Sequence, residues 1–124
     1  MKKILLLAIF AIGIVFASNA KEVYCELVGS CVITGTKVRV SVDFGENTAF
    51  KAANNQLVDE QGKAIKFNTM VDALNYMGQF GWKFKAAYAV SMGNQNVIHW
   101  LLAKEVENDE EIKEGILQHG DFKE

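Results

Sequence analysis

Apolar and polar residues alternate at strict period two over three stretches of this chain, and one stretch between them repeats at helical spacing. Over 23–27, and again at Val32, Thr34, Thr36, Val38, Val40, Val42 and Phe44 with Lys37, Arg39, Ser41 and Asp43 between them, the alternation predicts two strands with one wet face. Gly29-Ser30 between them reads as a tight hairpin turn. After a small, polar loop over 45–56, residues 57–67 read as two short extended pieces around a turn at Gly62. Met70, Val71, Leu74 and Met77 then fall on one helical face, with Asn68-Thr69 able to cap its first turn and Asp72 placed to complement its dipole. The spacing predicts a main helix from Thr69 to about Phe80, closed by Gly78 or Gly81 in the left-handed conformation.

A third strand follows, in which Trp82, Phe84, Ala86, Tyr88 and Val90 alternate with Lys83, Lys85, Ala87, Ala89 and Ser91. Gly93-Asn94-Gln95 turns the chain into a fourth, 96–104. That strand is apolar on both faces: Ile98, Trp100 and Leu102 on one, Val97, Leu101 and Ala103 on the other. Such a strand lies centrally, under a second layer, or at an interface between molecules. At the C-terminus, Asn108 as cap, acidic residues at 109–111, and Ile112, Ile116 and Leu117 predict a short helix stopped by Gly120 and weakened by Gly115. The fold class expected is α+β: an antiparallel sheet of four or more strands, one main helix packed on it, and a short C-terminal helix.

Ahead of these elements, Met1-Lys2-Lys3, a fourteen-residue apolar run over 4–17 and Ser18-Asn19-Ala20 read as a cleavable secretory signal, with the cut after Ala20. The run is shorter than the ~20 residues a membrane-spanning helix needs, and no cysteine stands where a lipoprotein signal requires one. The expectation is a bacterial protein, periplasmic or secreted, without a stable membrane anchor after cleavage. Residues 21–124 then form a single domain, with an acidic C-terminal segment at 105–124. The full chain carries 13 basic and 15 acidic side chains, so removing Lys2 and Lys3 moves the net charge from −2 to −4. That sign speaks against nucleic acid as a partner.

The segment Ala73-Leu74-Asn75, Gly78, Gly81-Trp82 resembles a small uncharacterised bacterial domain family, marked by a helix ending in L-N-x-x-G-x-x-G-W before a β-hairpin. The chain is also similar to small secreted proteins of Gram-negative bacteria with a Cys-Glu-Leu-Val-Gly opening and a Gly-Asn-Gln-Asn turn. The resemblance implies one helix on an antiparallel sheet and supplies no reaction.

Candidate chemistry is sparse. Cys25 and Cys31 leave two readings: a disulfide closing a small loop, or a buried Cys25 with a free Cys31 near the hairpin tip. Their spacing is not that of a zinc or thioredoxin-type site. His99 is the one histidine inside a predicted strand, and His119 sits in the tail. The carboxylates at 59–60 and 109–111 fall in a turn and a helix start, and no nucleophile elbow, phosphate cradle or calcium loop is present, so no catalytic residue, cofactor or metal is assigned. The expected function is a non-enzymatic binding or interaction module for an unknown protein or small ligand, with a homodimer as one form. Its surface would be Tyr88, Val97, His99, Trp100 and Leu101. The alternatives are a small enzyme with a site near His99, and an exported inhibitor presenting its hairpin tip or acidic tail to a basic target.

Overall fold

The computed structural model describes residues 20–31, 37–46 and 52–122. Strands β1 (Lys21–Cys31) and β2 (Val38–Asp43) form one antiparallel hairpin, and β3 (Lys83–Met92) and β4 (Gln95–Val106) form another. The hairpins join through β1 and β4 into a four-stranded antiparallel sheet of order β2-β1-β4-β3. One helix, α1 (Met70–Gly78), packs on it. The chain is α+β as its patterns predict. Among the described residues no helix is long and apolar enough to cross a membrane.

The helix begins where its sequence says it should. The Thr69 hydroxyl accepts from the Asp72 amide at 3.3 Å, and the Asp72 carboxylate accepts in return from the Asn68 amide at 2.9 Å. One first-turn donor, and the amide just ahead of the cap, are thereby satisfied. Ala73 and Met77 point into the core, and of the two glycines beyond, it is Gly81 that takes a left-handed φ of 93°.

The first hairpin departs from expectation. Gly29 and Ser30 are not a turn: β1 runs on to Cys31, which pairs with Val38, so the connection spans 32–37. The expected strand residues Val32, Thr34 and Thr36 lie outside the described residues. Gly29 serves a different purpose, since a Cβ there would stand 2.5 Å from the Met70 sulfur and 3.0 Å from Val38 Cγ1. Its missing side chain lets the helix approach the sheet. The same register puts Cys25 and Cys31 six residues apart on a single strand, roughly 20 Å, against the ~4.4–6.8 Å a disulfide spans. An intrachain bridge is therefore excluded, and Cys25 is a free, buried thiol.

A bulge decides the second hairpin. Phe84 stands opposite Leu102 but Ala86 opposite Leu101, leaving Lys85 as the extra residue. One inserted residue reverses the facing of all that follow. Phe84 therefore lies on the helix side, while Ala86, Tyr88 and Val90 move to the opposite face, where simple alternation had kept all four together. The hairpin closes on Gly93-Asn94 with a positive φ at Gly93 alone, the pattern of a type II′ turn.

The core lies between the sheet and a layer made of α1 and two irregular segments. Cys25, Leu27, Val40, Val42 and Leu102 supply the sheet side, and Leu57, Phe67, Ala73, Met77, Trp82 and Ile116 cover them. The expected C-terminal helix is instead a pair of 3-10 turns, Asp109–Glu111 and His119–Phe122. Asn108 does cap the first, accepting from the Glu110 amide at 3.1 Å. Between the two, residues 112–115 continue as turns, and the chain then runs to Gln118, which is bridged to Leu57. The buried Gln118 amide donates to the carbonyls of Val42 (2.9 Å) and Asn55 (3.0 Å). Long-range hydrogen bonds of this kind outcompete a nine-residue helix that contains Gly115. The acidic segment is thus docked beneath the helix layer, on the side of the sheet that holds the core.

Candidate functional site

The other face of the sheet is open. Strand parity places Glu22, Tyr24, Glu26 and Val28 of β1, Arg39, Ser41 and Asp43 of β2, Ala86, Tyr88 and Val90 of β3, and Val97, His99, Leu101 and Ala103 of β4 on it. Of these only Ala103 is buried. All the fully covered large side chains of the sheet lie on the opposite side.

Register determines who meets whom on this face. His99 stands between Val28 and Tyr88, and Glu26 between Asp43 and Leu101. The Tyr88 ring stacks on the His99 ring with centroids 5.3 Å apart and planes inclined by 19°. The Tyr88 hydroxyl donates to Glu26 Oε2 at 2.6 Å, and Glu26 Oε1 contacts His99 Nδ1. One carboxylate thereby holds both rings. Val28, Val90, Val97 and Leu101, each partly covered by its neighbours, surround the three polar side chains. Next to them Tyr24, 53% exposed, donates to Glu22 in the same manner.

Electrostatics follow from the hydrogen bonds. The bond to Glu26 pushes the Tyr88 phenol above its ordinary value, because ionisation would set a phenolate against a carboxylate. The bond to Glu22 does the same for Tyr24. Below the sheet, burial pushes the Cys25 thiol up to about 12, with smaller contributions from Asp43 and Glu26, so it is inert as a nucleophile at neutral pH.

Tyr88, Val97, His99 and Leu101 are therefore brought together. Trp100 is not: it faces the helix side, opposite Leu27 and Ala87, with its ring 6.0 Å from that of Phe84. Glu26, the residue that organises the cluster, escaped the sequence reading. Its only local signal is a carboxylate at an outward position of β1, and nothing near it in the chain points to a partner 73 residues away.

Chemically, the Glu26 carboxylate can only accept, so His99 Nδ1 is the donor in their contact. Among the described residues no serine, threonine or cysteine side chain is hydrogen-bonded to His99. Ser41 is two strands away across Val28, roughly 9.6 Å between backbones. The cavity of about 690 Å³ on this molecule is lined by Val28, Met70, Val97 and Trp100 among others, not by His99. Among the described residues no group of three or more His, Cys, Asp or Glu side chains gathers to hold a metal ion. Comparison with known protein families, curated proteins and solved structures finds no match to the chain.

Proposed function

We propose that the chain is an exported, non-enzymatic interaction module that takes a partner protein on the open face of its sheet. The observation that carries this reading is the Glu26–His99–Tyr88 cluster, hydrogen-bonded within itself and set in the partly covered apolar surface of Val28, Val90, Val97 and Leu101. Glu26 already satisfies the Tyr88 hydroxyl and His99 Nδ1, so a partner that covers the cluster has only the remaining exposed groups to match. Among the described residues no cavity is lined by Glu26, Tyr88, His99 or Leu101, which suits a protein surface there better than a small ligand.

Charge defines the partner further. Asp43 stands directly opposite Glu26, a like-charged pair that costs stability, and among the described residues no lysine or arginine lies within ion-pair distance of either. A partner that lays an apolar patch on Val97 and Leu101 and a lysine or arginine beside Glu26 and Asp43 relieves that repulsion.

The test is comparative capture from an envelope extract. Wild type and Val71→Glu, altered on an exposed helix position, should retain the same protein. Leu101→Glu should lose it, and the purified pair should bind with an affinity that falls as salt is raised. Equal retention by wild type and Leu101→Glu refutes the reading. Light scattering that shows a dimer abolished by Leu101→Glu would assign the face to a second copy instead.

A further inference from the structure

The two hairpins part at one end of the sheet. Pairing of β1 with β4 runs from Lys21↔Val106 to Val28↔His99 and stops, although β1 continues to Cys31 along β2 and β4 starts at Gln95 along β3. In the fork between them lies the cavity of about 690 Å³. Its side-chain lining is mostly apolar, from Val28, Val38, Met70, Val97, Ile98 and Trp100, with Ser30 and Asn96 as polar members, and no charged residue contributes among the described ones.

The walls of this fork carry main-chain groups in a known direction. Val40 accepts from the Leu57 amide at 2.8 Å, and Val38 exchanges both its hydrogen bonds with Phe67 at 2.8 Å each. Both residues therefore turn their N–H and C=O outward, away from β1. Because successive strand residues alternate in direction, and antiparallel partners turn toward or away from each other together, Gly29 and Cys31 turn away from β2 into the fork. The same alternation, set by the last rung Val28↔His99, turns Asn96 and Ile98 of β4 toward β1. Past that rung, no strand among the described residues stands opposite Cys31 or Asn96 on the fork side.

We propose that this fork receives an extended, uncharged segment of a partner protein, which adds as a short strand along residues 29–31. Main-chain donors and acceptors at strand spacing are matched by another extended backbone, and a mostly apolar lining without charge selects apolar side chains at alternate positions. The volume lies in the ~300–1,000 Å³ range of cavities that enclose a compact ligand. Three residues of strand, about 10 Å, set the length of the paired segment. The site adjoins the open face, with which it shares Val28 and Val97, and reaches the helix side through Met70, Ile98 and Trp100; Leu101, which does not line it, tells the two readings apart.

The experiment uses residues 21–124 and a pool of acetylated, amidated pentapeptides with Val, Ile, Leu or Phe at positions 1, 3 and 5 and Thr between. Millimolar pool should shift the amide resonances of Gly29, Cys31, Asn96 and Ile98 and the emission of Trp100. The same pool N-methylated at positions 2 and 4 should not. Ile98→Asp, at a position 49% exposed and so tolerant of the change, should weaken the shifts about tenfold or more, because the fork would then bury an unpaired carboxylate. Leu101→Glu should leave them unchanged. Absence of shifts with any member of the pool, or equal shifts with the N-methylated pool, overturns the proposal. So does self-association that perturbs the same four amides.

Discussion

Three glycines allow the backbone and packing arguments to be separated by a single kind of substitution, glycine to alanine. Gly78 ends α1 with a negative φ and open space around a new Cβ, so alanine there should leave stability unchanged or raise it by up to ~1 kcal/mol. Gly93 has a φ of 64° and again nothing within 4 Å, so its cost is the left-handed conformation alone, about 1–2 kcal/mol. Gly115 combines a φ of 79° with a Cβ that would stand 2.5 and 2.7 Å from two atoms of the Phe80 ring. That ring is held at 5.3 Å from Tyr76, so it cannot swing away without losing its own packing. Overpacking adds roughly 1–3 kcal/mol, for a total of about 2–5. Urea unfolding of residues 21–124, followed by the fluorescence of Trp82 and Trp100, reads these differences as midpoints. With a slope near 1–2 kcal/mol/M, Gly93→Ala should lower the midpoint by roughly 1 M and Gly115→Ala by about twice that. Phe80→Leu in the Gly115→Ala background should recover part of the loss. Equal midpoints for the Gly93 and Gly115 variants, or no recovery by Phe80→Leu, would refute the packing of the C-terminal segment against the end of the helix.

The remaining predictions concern the core beneath the open face. Burial holds the Cys25 thiol protonated up to about 12, against an ordinary value of 9.0; the unfolded chain therefore releases this proton first, and stability present below pH 9 should fall by about 1.4 kcal/mol per pH unit as pH rises toward 12. Alkaline unfolding of Cys25→Ala should show a flatter decline over that window, and an unchanged slope would contradict the assignment. Gln118→Ala should cost about 1–3 kcal/mol, because it strips the Val42 and Asn55 carbonyls of a shared donor, and a thermal midpoint within error of wild type would contradict the docking of the tail.

Much of the architecture was legible from neighbours in the chain. Thr69 and Asp72 announce the start of α1, Met70 to Met77 its buried face, Gly93-Asn94 the second hairpin, and Asn108 the cap of the first C-terminal turn. These features depend on contacts within a few residues, so period and capping chemistry reveal them. Of the surface proposed from the sequence, the structure places Tyr88, Val97, His99 and Leu101 on one face and Trp100 on the other, and Glu26 was unseen.

What the amino-acid order determined by itself is the type of the main helix and of the four strands, because a helix repeats every 3.6 residues and a strand every two whatever surrounds them. Which face each strand turns to the core was decided by the tertiary structure. Gly29 stays in the strand because Met70 needs the space above it, Lys85 bulges and carries Tyr88 to the face of His99, and the C-terminal segment gives up a helix as Gln118 pairs with Leu57. Each of those outcomes balances a local preference of about 1 kcal/mol against pairing and burial by residues far along the chain, and the distant contacts prevail.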